Sequence, residues 1–162
     1  MHRVHDGAQG ARARAGRPCI QQRQQPFVSG VLNRKVSTTM SAEDVQFLFM
    51  MREQIKLYHW QTHSYARHKA TDELLDSLDK LIDEYVEVYM GKYGRPRVNT
   101  KTGTIRIGNL NEKGATRFLR VCAEHLQGGF VRRLKESDTD LINLRDEILA
   151  HLHRVMYLFS LD

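Results

Sequence analysis

The sequence predicts an all-α fold: a four-helix bundle over residues 41–162, preceded by a disordered basic tail over residues 1–40. Three observations predict it. Apolar side chains recur at three- and four-residue spacing in four separate stretches, the periodicity of helices with one buried face. Clusters of Gly, Pro, Ser and Asp fall between those stretches, where helix stops and N-caps belong. Charge is also segregated. Residues 1–40 hold seven Lys and Arg against one acid, whereas residues 41–162 hold eighteen against eighteen. The formal net charge of +6 is therefore a property of the tail.

The first helix is expected from Ser41, a plausible N-cap with Glu43 and Asp44 in the favourable first turn, to about residue 61. Val45, Leu48, Ile55, Tyr58 and His59 share its apolar face. After a short turn, the second helix runs over about 65–91, with Leu74, Leu78, Leu81 and Tyr85 on one face, and stops at Gly91, Gly94 and Pro96. Residues 97–111 read as a small hairpin or an extended loop. The third helix covers about 112–135, with Gly128-Gly129 as a point of bending or splitting. A break at residues 137–140 opens the fourth helix, whose face carries Leu141, Leu144, Ile148 and Leu152.

The tail carries six arginines and one lysine, no apolar periodicity and a glutamine-rich patch, so it cannot bury enough surface to order itself. Three readings stay open: an organellar transit peptide, a basic arm that grips DNA phosphates, or an extension upstream of a true start at Met40. No stretch approaches the roughly 20 apolar residues of a membrane span, so no membrane partner is expected. Cys19 and Cys122 make no disulfide framework. The expected location is cytoplasmic, or organellar if residues 1–40 are a transit peptide.

The second helix carries more than a core face. At about 100° per residue, His68, Asp72, Asp76, Asp79, Asp83 and Glu87 fall in one arc beside the leucines. Like charges one turn apart disfavour a helix by a few tenths of a kcal/mol each, and Lys80 is a weak offset. A metal ion is a better one, since carboxylates and imidazole together suit iron, manganese or zinc. A solvated acidic face is the competing explanation. His59 favours the metal, because it lies on the buried side of the first helix and close to His68 across a tight turn. His68 and Asp72 are separated from Asp83 and Glu87 by about 16 Å of helix, too far for one centre in one chain. A shared centre requires two copies of the helix, antiparallel across a two-fold axis, with two equivalent sites.

His59-Trp60, His68-x3-Asp72-x10-Asp83-x3-Glu87 and Gly91-x2-Gly94-Arg-Pro96 resemble the signature of the Dps family of mini-ferritins. The chain is also similar to small uncharacterised ferritin-like proteins of large DNA viruses and algae. The resemblance implies a ferritin-like bundle that oxidises ferrous iron with peroxide or oxygen, for iron storage and oxidative protection. It implies a dinuclear iron site with His59, His68 and Asp72 from one subunit, Asp83 and Glu87 from the next, and Trp60 beside it. The implied assembly is a homo-oligomer, at least a two-fold dimer and in the family a twelve-subunit cage. Two departures bear on this. Eight residues separate the histidines where the family has eleven, and residues 97–111 look extended where the family has a short helix. The competing function is a non-catalytic bundle, an interaction or DNA-coating protein.

Other candidates read as structural. No histidine has an acid three residues before it, which disfavours a Glu-x-x-His di-iron bundle. Glu147 with His151 reads as a surface contact, His63 as solvent-facing, His125 and His153 as structural or exposed. Cys122, Tyr85 and Tyr89 read as packing residues.

Overall fold

The computed structural model describes residues 42–98 and 103–161. The expected tail and the Ser41 cap lie outside the described residues. Four α-helices form: α1 (Ala42–Gln61), α2 (Tyr65–Tyr93), α3 (Glu112–His125) and α4 (Thr139–Phe159). Ser64 caps α2 by accepting from the Arg67 amide at 3.2 Å, and Asn111 caps α3 by accepting from the Gly114 amide at 2.8 Å. Each satisfies an amide that the first turn leaves unpaired. Gly94 ends α2 at φ 84, and its amide donates to the Met90 carbonyl. That left-handed conformation is why the helix ends at a glycine.

Contacts at the ends give the helix directions. The start of α1 meets the residues after α3 through Asp44 and Arg133, while its last turn meets the start of α3 through Tyr58 and Glu112. The start of α2 meets the end of α4, Arg67 Nη2 donating to the Phe159 carbonyl at 3.1 Å. Its far end meets the start of α4, where the Tyr93 hydroxyl donates to Asp138 at 2.7 Å and Lys92 to Asp140 at 2.6 Å. So α2 runs parallel to α3, and residues 94–111 must return along the bundle. One long crossover in this position is the connectivity of ferritin-like bundles.

The crossover forms no strand among its described residues. It is held by Gln54, a fully buried side chain of α1 that donates to the Gly108 carbonyl at 2.7 Å and accepts from the Gly108 amide at 2.8 Å. The side-chain amide thereby supplies the partners that a neighbouring strand would give. Leu110 packs against the core beyond it. That core is continuous from Phe47 and Leu48 through Leu78, Tyr85, Phe118, Leu126, Ile148 and Leu152, and Cys122, Tyr85 and Tyr89 are buried in it as expected. No described helix is long and apolar enough to cross a membrane.

The helical segment expected over 112–135 is interrupted around Gly128-Gly129, the expected point of bending or splitting. Its α-helical part ends at His125, followed by a π turn (Leu126–Phe130) and a 3-10 turn (Val131–Arg133). Gly128-Gly129 weakens the helix there, and Arg145 of α4 takes the Leu126 carbonyl at 3.4 Å. The second helix extends to Tyr93, past the expected stop at Gly91.

This end of the bundle buries charge. Asp44 is 1% exposed and bonded to Arg133, yet burial outweighs the guanidinium and raises its pKa to about 6. His125 packs at a tilt against Phe47 with ring centroids 4.3 Å apart, and burial, with the Arg133 charge, lowers its pKa to about 4. The shifts have opposite consequences. Between its ordinary 3.8 and about 6, Asp44 holds its proton more tightly when folded, so its contribution falls as pH rises. Between about 4 and its ordinary 6.5, His125 is protonated mainly when unfolded, so its contribution rises with pH.

Two predictions follow from this end of the molecule. Relative to wild type, Asp44→Asn should steepen the rise of stability with pH between about 4 and 6, by up to about 1.4 kcal/mol per pH unit. His125→Gln should reverse the change; urea unfolding at stepped pH measures both, and equal slopes in all three proteins would contradict the paired titrations. At the π turn, Gly128 has nothing within 4 Å of an added Cβ, whereas a Cβ on Gly129 would lie 2.9 Å from His125 Cε1. Gly128→Ala should gain up to about 1 kcal/mol and Gly129→Ala should lose about 1 kcal/mol or more, opposite signs in the same unfolding measurement.

Candidate metal centre

Residues 62–64 turn the chain so tightly that the last turn of α1 and the first turn of α2 face each other. His59 and His68 stack there, ring centroids 4.0 Å apart and planes inclined by 21°. His59 is buried and His68 half-buried. Their hydrogen bonds are reciprocal: His59 Nδ1 lies 3.1 Å from the His68 carbonyl, and His68 Nδ1 lies 3.0 Å from the His59 carbonyl. A carbonyl only accepts, so both rings carry the proton on Nδ1 and leave Nε2 as a lone pair. Thr71 Oγ1, 3.1 Å from His59 Nδ1, offers the same ring a second acceptor while donating to the Arg67 carbonyl at 2.8 Å. Metal-binding imidazoles are oriented by this kind of Nδ1–H bond.

Asp72 sits one turn after His68 with a carboxylate oxygen 3.8 Å from His59 Nε2, and Lys69 Nζ lies 3.7 Å from its other oxygen. Burial foremost, then the neighbouring His68 ring, lowers the His59 pKa below 6.5. The fold therefore favours neutral imidazole, the form that can ligate a metal. Two Nε2 lone pairs and one exposed carboxylate make an incomplete ligand set. Among the described residues of one chain, no three His, Cys, Asp or Glu side chains are gathered tightly enough to hold a metal alone.

Asp83 and Glu87 are exposed on α2, about three and four turns beyond Asp72. The chain does not bring them to the histidines, in keeping with the spacing argument. Asp83 instead lines a surface groove of about 330 Å³ with Phe49, Arg52, Asp79, Ile82 and Val86. Phe49, 49% exposed, and Trp60, 68% exposed, are large apolar groups on α1 that the described residues leave uncovered. Lys56 lies 5.4 Å from the Trp60 ring centroid.

Lys80, the weak offset to the acidic stripe, forms no ion pair among the described residues. Arg52 of α1 offsets one member of the stripe, donating to both oxygens of Asp79 at 2.7 and 3.0 Å and holding that carboxyl below its ordinary pKa. Sequence reasoning missed Arg52, Thr71 and the residues that brace the turn. Only Thr71, three residues after His68, carried a local signal. His63 and His153 are exposed as expected, His125 is structural, and His151 lies in a shallow recess with Glu73 and Arg154.

The chain belongs to a family of unknown function, DUF5856, whose model matches residues 59–159. That span begins at His59 and includes all five residues singled out above. A stretch of 37 residues is 51% identical to an uncharacterised 14.6 kDa protein in the mobD-ri intergenic region of Enterobacteria phage T4. It covers 23% of this chain and 29% of the phage protein's length. No solved structure matches.

The ring geometry predicts a signature in the metal-free protein. Imidazole ¹⁵N shifts at neutral pH should assign Nδ1–H to both His59 and His68, with His59 titrating below 6.5. Averaged tautomers for both rings, or an elevated His59 pKa, would contradict the reciprocal bonds.

Proposed function

We propose that the protein is an iron-binding ferroxidase of Dps type whose site is completed between two copies of the chain. The observation that carries this reading is the stacked histidine pair, with both Nδ1 atoms engaged by carbonyls and His59 Nε2 3.8 Å from the Asp72 carboxylate. Three ligands per chain suit a site that is finished by another subunit. A two-fold axis beside residues 77 and 78 of α2 places Asp72 opposite Asp83 of the partner subunit, and His68 opposite Glu87 of the partner subunit. Asp76 then meets Asp79 of the partner subunit, where Arg52 already neutralises the carboxylate. Phe49 and Trp60, on the same side, would lose their exposure in such a dimer.

The chemistry asks little of the protein beyond placement. Ferrous iron is the substrate. Two ferrous ions each give one electron to hydrogen peroxide, whose O–O bond breaks; two protons are taken up and two waters form. Carboxylates favour the harder ferric product, and holding both ions near the oxidant avoids a one-electron encounter in solution. Oxygen is the alternative oxidant, and the ferric product would be stored or released by a larger homo-oligomer.

The test follows ferric absorbance after adding ferrous iron and peroxide. Wild type should exceed the buffer blank by at least tenfold, with His68→Ala and Glu87→Ala near the blank. Mixed dimers of the two variants should recover part of the rate, because one of their two sites is intact. A wild-type rate equal to the blank would leave the competing reading, a non-catalytic bundle with a solvated acidic edge. Absence of recovery in verified mixed dimers would reject the shared geometry alone.

A further inference from the structure

The two histidines are braced by a residue far from them in sequence. Glu112, the first residue of α3, accepts from the Tyr58 hydroxyl, from Thr62 Oγ1 at 2.8 Å and from Arg67 Nη1 at 3.2 Å. Its main-chain carbonyl also accepts from Arg67 Nη1 at 3.2 Å. Tyr58 and Arg67 are the residues immediately before His59 and His68. On a helix, consecutive side chains are separated by about 100° and 1.5 Å, so fixing residues 58 and 67 against one carboxylate fixes the height and rotation of residues 59 and 68. Thr62 brings the turn between them to the same carboxylate. The stack needs that register, since each ring reaches the other's main-chain carbonyl only when both helices are at the right height.

We propose that Glu112 is a positioning residue for the histidine pair, setting the ring stack and its Nδ1 hydrogen bonds through Tyr58, Thr62 and Arg67. It touches neither ring. The inference rests on the reading of the pair as metal ligands for its use, but not for its geometry. Glu112 directly follows the crossover, so the position of that segment and the shape of the site are mechanically joined.

Glu112→Gln keeps size and shape but removes the charge and leaves one acceptor oxygen in place of two, so Tyr58, Thr62 and Arg67 can no longer all donate to it. Three measurements on the full chain separate the possibilities: far-UV circular dichroism, imidazole ¹⁵N shifts without metal, and cobalt(II) titration followed by visible absorbance. Glu112→Gln should keep its helix content, lose the Nδ1–H tautomer lock at both histidines, and bind cobalt(II) about tenfold or more weakly. Glu124→Gln, on the exposed side of α3, should match wild type throughout. Wild-type tautomers and affinity in Glu112→Gln would overturn the proposal. If that variant loses helix content, Tyr58→Phe decides: partial loss of the lock supports the proposal, and an unchanged lock overturns it. If wild type binds no cobalt(II) while Glu112→Gln still loses the lock, the positioning role stands and the metal reading fails.

Discussion

Arg67 closes one end of the bundle. Its guanidinium donates to the Phe159 carbonyl at the end of α4 and to Glu112 at the start of α3, and stacks 4.5 Å above the Phe159 ring. Three of the four helices therefore end on one side chain, and Tyr58 brings the fourth through Glu112. Charged hydrogen bonds to a carboxylate are about twice as strong as neutral ones, and the Arg67 side chain is only 12% exposed, which limits screening. The three-residue turn between α1 and α2 has no freedom once these bonds are made. The histidine stack inherits its order from that constraint.

The opposite end is built on another principle. There the chain accepts a broken helix, a buried carboxylate and a neutral buried histidine in a small volume. Arg133 and Arg145 reach into it from outside the regular part of α3 and from α4. Asp138 precedes α4 but does not cap it, its carboxylate being committed to Tyr93, the Lys135 amide and Lys92. One end thus gains order from well-matched charges; the other tolerates titratable groups whose proton affinities burial pushes past each other, Asp44 to about 6 and His125 to about 4.

Much of this was legible in the sequence, for identifiable reasons. Leu74, Leu78 and Tyr85, and Leu141, Ile148 and Leu152, repeat at helical spacing, and burial follows spacing directly. Gly94 and Gly128-Gly129 mark backbone changes because glycine acts locally. His59 beside His68 was also readable, since a short turn leaves two helix ends nowhere else to be. What escaped were pairings decided by packing across the bundle. Arg52 with Asp79, Gln54 with Gly108 and Glu112 with Tyr58 are each separated by tens of residues, and no local pattern connects them. Lys80, a helical neighbour of the acids, reads only as a weak offset to them, and it is Arg52 from the facing helix that pairs with Asp79.

The crossover has a consequence for how the chain can be divided. It joins two antiparallel hairpins, α1 with α2 and α3 with α4, and Gln54 grips it near its downstream end, at Gly108. A cut upstream of that grip would leave every helix-to-helix bond described above intact. The molecule is two hairpins that share one core, so it is a natural candidate for splitting into separately produced fragments that reassemble. Residues 97 and 98, exposed on the crossover, are where added sequence would disturb the helices least.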